Sequence, residues 1–128
     1  MRFYAPLFVL ALMACQSDET VSGHTDGVTA FALQSIDGTA FTATATIDIS
    51  QTGKISGRAP CNSYFATQTA PYPWFALGPI GSTKMACPDL SQEGQYFDAL
   101  GSMTLVEVVG NTFILSNDKG REMVFQAP

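Results

Sequence analysis

The stretch Gly57–Leu100, GRAPCNSYFATQTAPYPWFALGPIGSTKMACPDLSQEGQYFDAL, decides how the rest of the chain is read. It holds Cys61 and Cys87, the only tryptophan (Trp74), and the one strong helix signal. Short segments of alternating polarity lie on either side. The reading is therefore a cysteine-bearing loop and one helix set into a β framework.

The helix is expected over Asp89–Ser102. Asp89 suits the N-cap, with Pro88 before it and Gln92 three residues on, where a capping box would place it. Leu90, Glu93, Phe97 and Leu100, with Tyr96 beside them, recur at helical spacing and form one stripe to pack against a sheet. Gly101 marks the expected end. Gly94 sits mid-helix and costs about 1 kcal/mol relative to alanine.

The flanks read as strands. Val28–Ile36 (VTAFALQSI) runs into Asp37-Gly38, a strong hairpin turn. In Phe41–Ile49 (FTATATIDI), Phe41, Ala43, Ala45, Ile47 and Ile49 alternate with polar residues, the mark of one buried and one wet face. Lys54–Arg58 follows a turn at Gln51–Gly53. After the helix, Met103–Val109, Thr112–Ser116 and Glu122–Gln126 form a meander with turns at Gly110-Asn111 and Asn117–Gly120. The fold class is mainly β (α+β): a small antiparallel barrel-like domain with one packed helix, which also hides strand edges.

At 128 residues there is room for one domain with an adequate core. Charged residues are only 13% of the chain, against roughly 25% in average globular proteins. The formal charge is −5, and loss of Arg2 with a leader leaves five basic against eleven acidic residues, or −6. A surface this acidic has no electrostatic footprint for a phosphate backbone, so no nucleic acid is expected as a partner.

Residues 1–14 read as a leader. One arginine precedes an apolar run too short for a bilayer core, which needs about 20 apolar residues. Its end, Leu12-Met13-Ala14-Cys15, resembles a bacterial lipobox. That resemblance implies a lipoprotein signal peptide, cleavage before Cys15 and lipid attachment there. Gln16 after the cysteine implies sorting to the outer membrane, with the domain facing the periplasm. Residues 15–27 are then a flexible tether, polar and without periodicity. His24, the sole histidine, is expected there as a solvated residue.

Two signatures then resemble a known family. Ser56–Asn62 (SGRAPCN) and Ser82–Pro88 (STKMACP), in that order and followed by a helix and three strands, are similar to the META domain of the HslJ-like type. The motif positions are Gly57, Cys61, Asn62, Ser82, Thr83, Met85, Cys87 and Pro88, over a domain spanning residues 28–127. Pro60 departs from the glycine the family usually carries before the cysteine. The resemblance implies a barrel-like β fold with one helix, found in envelope lipoproteins linked to heat and stress, and it carries no general catalytic activity.

The remaining residues are read for chemistry. With Cys15 lipidated, Cys61 and Cys87 are left in an oxidising compartment, where a disulfide is the natural reading and two buried thiols the alternative. A closed loop of that length stabilises by about 3.5 kcal/mol. No metal-ligand pattern accompanies them, and no base is at hand for a thiolate, so neither metal nor cofactor is expected. Asn62 is read as holding a tight turn through its own backbone. Asp48, Asp89, Glu93, Asp98 and Glu107 are read as solvated or capping carboxylates. Ser82 and Lys84 share a strand face without an oxyanion element, and no enzyme is expected. Tyr64, Phe65, Tyr72, Trp74 and Phe75 are read as a satellite core closing one barrel end. The sharper alternatives make Tyr64, Tyr72, Trp74 and Phe75 a partner-binding surface, or the lining of a barrel mouth for a small apolar ligand. The expected function is a non-catalytic envelope lipoprotein, held to the membrane by its lipid and acting on an envelope protein in integrity or stress tolerance.

Overall fold

The Asp37-Gly38 turn has positive φ at both residues, 52° and 78°, as a two-residue hairpin loop requires. It joins β1 (Ala30–Ile36) to β2 (Thr39–Ala40), and the computed structural model describes Pro6 and residues 17–128 around this start. Pro6 apart, the expected leader lies outside the described residues, as does Cys15. The strand expected over Phe41–Ile49 is interrupted: β2 stops at Ala40, and pairing with β1 resumes only in β3 (Thr46–Asp48). Alternation of burial persists through the gap: Phe41 N still donates to Gln34 O (3.0 Å), and its ring lies against Tyr96, 6.4 Å between ring centroids. Thr42 is held there by the Gln92 amide at 2.9 Å. Packing against the helix outweighs a few ladder hydrogen bonds.

The strands β4 (Lys54–Arg58), β5 (Ser63–Thr67), β6 (Gly81–Ser82), β7 (Leu105–Val109), β8 (Thr112–Ser116) and β9 (Glu122–Gln126) complete one antiparallel sheet in the order β6-β5-β4-β3-β1-β9-β8-β7. The central segment thus contains strands where a loop was expected: Ser63–Thr67 alternates as any half-buried strand does, but its two consecutive aromatics masked the pattern.

The sheet is curled yet its ladder is not closed. The edge of β7 is covered by Pro73–Phe75, with Phe75 N donating to Thr104 O (2.9 Å) and Val106 N to Pro73 O (2.8 Å). That crossing segment is held from inside by Gln68, 2% exposed, whose Oε1 accepts from the amides of Ala70 (3.1 Å) and Ala76 (3.0 Å).

The helix α1 (Leu90–Ser102) lies over the curl with Tyr96, Ala99 and Leu100 fully buried. Its start departs from expectation: Asp89 occupies the N-cap in a turn conformation and its side chain caps nothing. Leu90, expected in the stripe, is 48% exposed, while the helix ends at Ser102 as expected. The interior is filled by side chains, among them Phe31, Phe113, Phe125, Ile47, Ile55 and Leu115. A small barrel packs its own core in this way.

The segment read as a tether is partly docked. Val21, 2% exposed, belongs to the core cluster, and a short 3-10 turn covers Val21–His24. Asp18 accepts from Thr20 N (2.9 Å), from the Thr20 and Ser22 hydroxyls, and from Thr52 Oγ1 (3.0 Å) in the β3–β4 turn. Burial works against its charge, but these donors prevail and hold the carboxyl at about 2. Tyr72 N donates to Glu19 O (2.7 Å), and His24 stacks on Tyr72 at 4.4 Å. The folded unit therefore begins ahead of Val28, and His24 has a fixed neighbour. The sequence hid this because one valine among polar residues has no period.

Under the helix, Tyr64 Oη donates to Thr46 O (2.7 Å) and meets Tyr96 Oη at 2.6 Å. Burial pushes both phenols well above their usual range, with each other's proximity acting on Tyr96 as well. Their neutral forms are favoured only in the folded state. Stability is therefore full below the ordinary phenol value near 10 and falls as pH rises beyond it.

Two outcomes test this packing. Val21→Ala should lower the unfolding free energy by about 1–2 kcal/mol, the loss of two buried methyl groups, measured by denaturant titration. In an alkaline absorbance titration, Tyr64 and Tyr96 should ionise only together with loss of the folded circular dichroism signal.

Candidate functional site

The two motif segments meet at the end of the β4–β5 hairpin. Gly57 in β4 runs so close to β3 that a Cβ there would overlap the Thr46 carbonyl oxygen and crowd the Tyr64 ring. Only glycine permits that approach. The chain then turns through Ala59–Asn62, closed by Ala59 N donating to Asn62 O at 2.7 Å, and this turn accommodates Pro60. Cys61 is joined to Cys87 by a disulfide with Cα atoms 5.6 Å apart. That bond ties the turn to the segment leading into α1.

Asn62, 3% exposed, uses its whole amide. Nδ2 donates to Met85 O (3.0 Å) and Glu93 Oε2 (2.8 Å), while Oδ1 accepts from Thr83 Oγ1 (2.8 Å) and Met85 N (2.7 Å). It therefore joins two distant segments, where a local turn bond was expected. A buried amide satisfied this fully is rigid and specifies one arrangement of its partners.

Glu93 completes the arrangement. It is 5% exposed, and its Oε1 accepts from the consecutive amides of Cys61 (3.1 Å) and Asn62 (2.8 Å). Among the described residues no cation pairs with it. Two successive backbone N–H groups turned to one acceptor form a small nest, a fixed source of partial positive charge. Glu93 was expected on a solvated face; instead it crosses from α1 to the hairpin turn. The signal was present, since Glu93 falls on the helix's own apolar stripe, where a carboxylate has no reason to be unless something beneath it donates.

Above this clasp lies an open groove of about 430 Å3. Lys84 and Met85 form one wall, Leu90 and Phe97 the other, with Asn62 and Glu93 beneath. Met85 is 66% exposed and Leu90 48%, so apolar atoms face water on a rigid frame. Gly94 opens onto the same groove, and a Cβ placed there would meet nothing within 4 Å. Ser82 accepts from Lys84 Nζ at 3.3 Å on the exposed rim, and Pro88 is exposed just before the helix.

The expected aromatic surface does not assemble. Tyr64 and Phe75 are each 2% exposed and lie in the core; Tyr72 is half-buried beneath His24, with its Oη accepting from Val108 N (3.2 Å). Trp74 alone of the four is exposed, at 59%. Trp74 and Phe75 part because neighbours in an extended segment point to opposite faces.

Removing the clasp should be costly. Glu93→Ala leaves buried amides of Cys61 and Asn62 without a partner and should destabilise by about 3 kcal/mol or more, whereas Leu90→Ala on the exposed rim should cost under about 1 kcal/mol; chemical denaturation of the disulfide-intact protein reads both.

The chain resembles known proteins in sequence and in fold. A family model described as the META domain matches residues 25–128. No curated protein matches the chain. Among solved structures, an NMR structure of a protein from Burkholderia xenovorans aligns at 26% identity and a TM-score of 0.65, covering 84% of this chain and 86% of that one. A second NMR structure aligns at 19% identity and a TM-score of 0.63, covering 83% of this chain and 93% of that one. A crystal structure of a duf4847 family protein from Bacteroides vulgatus aligns at 15% identity and a TM-score of 0.54, over 64% and 57% of the two chains. The last two show likeness of fold alone. With a family model matched across all nine strands and the helix, and with both motifs built into one clasp, this chain belongs to the META-domain family.

Proposed function

We propose that this protein is a non-catalytic lipoprotein of the cell envelope, acylated at Cys15 and held at the outer membrane on its periplasmic side, where it supports integrity under heat or envelope stress by binding another protein. The observation that carries the contact reading is the groove beside the clasp. Two motif segments 20 residues apart in their nearest members, Asn62 and Ser82, are spent on holding its wall rigid. Met85 on that wall and Leu90 on the opposite one are then presented to water. Flexible methionine and leucine on a fixed frame suit an apolar side chain or short apolar segment of a partner.

Gly94 supports the same reading. Glycine inside a helix costs about 1 kcal/mol relative to alanine, and no neighbour in the structure demands it. What its missing side chain does is keep the groove open. The engagement of the most chemically capable groups supports a reading without a catalytic step. Glu93 is occupied by three N–H donors, and Cys61 is bonded to Cys87. The lipid anchor and compartment rest on the lipobox-like Leu12–Cys15 and on Gln16.

A deletion strain tests the reading. It should be more sensitive than wild type to heat and to envelope-active drugs, and the wild-type gene should restore tolerance. Gly94→Leu, which fills the groove without touching the core, should fail to restore it at equal protein level. A deletion strain that grows as wild type under those stresses overturns the proposal, and full rescue by Gly94→Leu removes the groove from it.

A further inference from the structure

We propose that the domain sits directly on the lipid surface, with the turn Pro71–Trp74 facing the headgroups and Trp74 inserted among them. The inference rests on the acylated Cys15 proposed above and adds how the domain is held relative to the membrane.

The argument begins with reach. Cys15 lies three residues before Asp18, and three extended residues span at most about 11 Å. Asp18 is fixed to the domain through Thr52, Glu19 through Tyr72, and Val21 through the core. A lipid on Cys15 sits at the level of the acyl chains' attachment, and the polar headgroup layer above it is about 5–7 Å deep. Crossing that layer uses about half of this reach and leaves only about 4–6 Å between the headgroup surface and Asp18. The end of the domain that holds residues 18–24 is therefore brought against the membrane.

What lies at that end is suited to the position. Glu19 O accepts from Tyr72 N within the turn that Trp74 N closes onto Pro71 O at 2.8 Å. Trp74 points away from the core while Phe75, next along, is buried at 2%. Pro71 and Pro73, both exposed, flank Tyr72. An exposed tryptophan in an otherwise well-packed domain has the amphipathic ring that belongs at a membrane–water interface. Asp18 and Glu19 put carboxylates beside Pro71 and Tyr72 at the same end. The surface thus fits zwitterionic headgroups, and anionic lipid should weaken the contact.

Trp74 is the only tryptophan, so it reports on its own position. The protein purified from membranes is reconstituted into phosphatidylcholine vesicles, and its intact mass is measured on the same sample. The chain beginning at Gln16, which lacks both the leader and the acylation site, is the reference in buffer. The expected result is an acyl addition at Cys15, a blue-shifted Trp74 emission, and acrylamide quenching several-fold weaker than in the reference. Lipids brominated close to the glycerol should quench Trp74 more than lipids brominated near the chain ends, and phosphatidylglycerol should reverse part of the shift. An acylated protein whose Trp74 is quenched by acrylamide as strongly as the reference overturns the seating and leaves the anchor standing. A protein that carries no acyl group overturns both.

Discussion

The buried carboxyl of Glu93, turned onto the consecutive amides of Cys61 and Asn62, is the constraint on which the rest depends. A polar group cannot be taken out of water in a domain this small unless its hydrogen bonds are made elsewhere. The helix must therefore sit where Glu93 meets the hairpin turn, and the turn must present those two amides. The Cys61–Cys87 bond and the Asn62 amide serve the same geometry from the other side, fixing the segment before α1. The position of α1 then determines what closes the curled sheet, because Tyr96 and Leu100 on its inner face complete the core above Tyr64.

The motif residues make sense within that frame, and each has a distinct physical role. Gly57 lets two strands approach where a side chain would collide with a carbonyl. Asn62 saturates its amide between two segments. Thr83 donates to Asn62 Oδ1, while Met85 contributes only its backbone to the clasp and leaves its side chain in water. Structural duty and exposed apolar surface are thus carried by different atoms of one short segment. A site built so can be rigid and still have something to offer a partner.

The second constraint is edge closure. The ladder ends at β7, and an open edge invites pairing with another chain. The Pro73–Phe75 segment covers that edge, Gln68 holds the segment, and the docked residues around Val21 lie over Tyr72 from outside. The amino-terminal stretch is thereby part of the fold, which turns a tether into a strap.

Sequence alone determined the strands with clean alternation or sharp turns. Lys54–Arg58, Thr112–Ser116 and Glu122–Gln126 stand where the pattern placed them, because burial with period two and positive-φ turns are local demands written residue by residue. The helix was legible for the same reason, and the cysteine pair and the family followed from composition and motif. Tertiary structure alone decided the rest. Whether Glu93 is solvated or clasped depends on amides 31 and 32 residues away, and whether Tyr64 is core or surface depends on a strand that its aromatic neighbours concealed. Val21 is buried only because the fold brings its short 3-10 turn against β7 and the core. Such facts concern what lies opposite a residue after folding, and no periodicity along the chain records it.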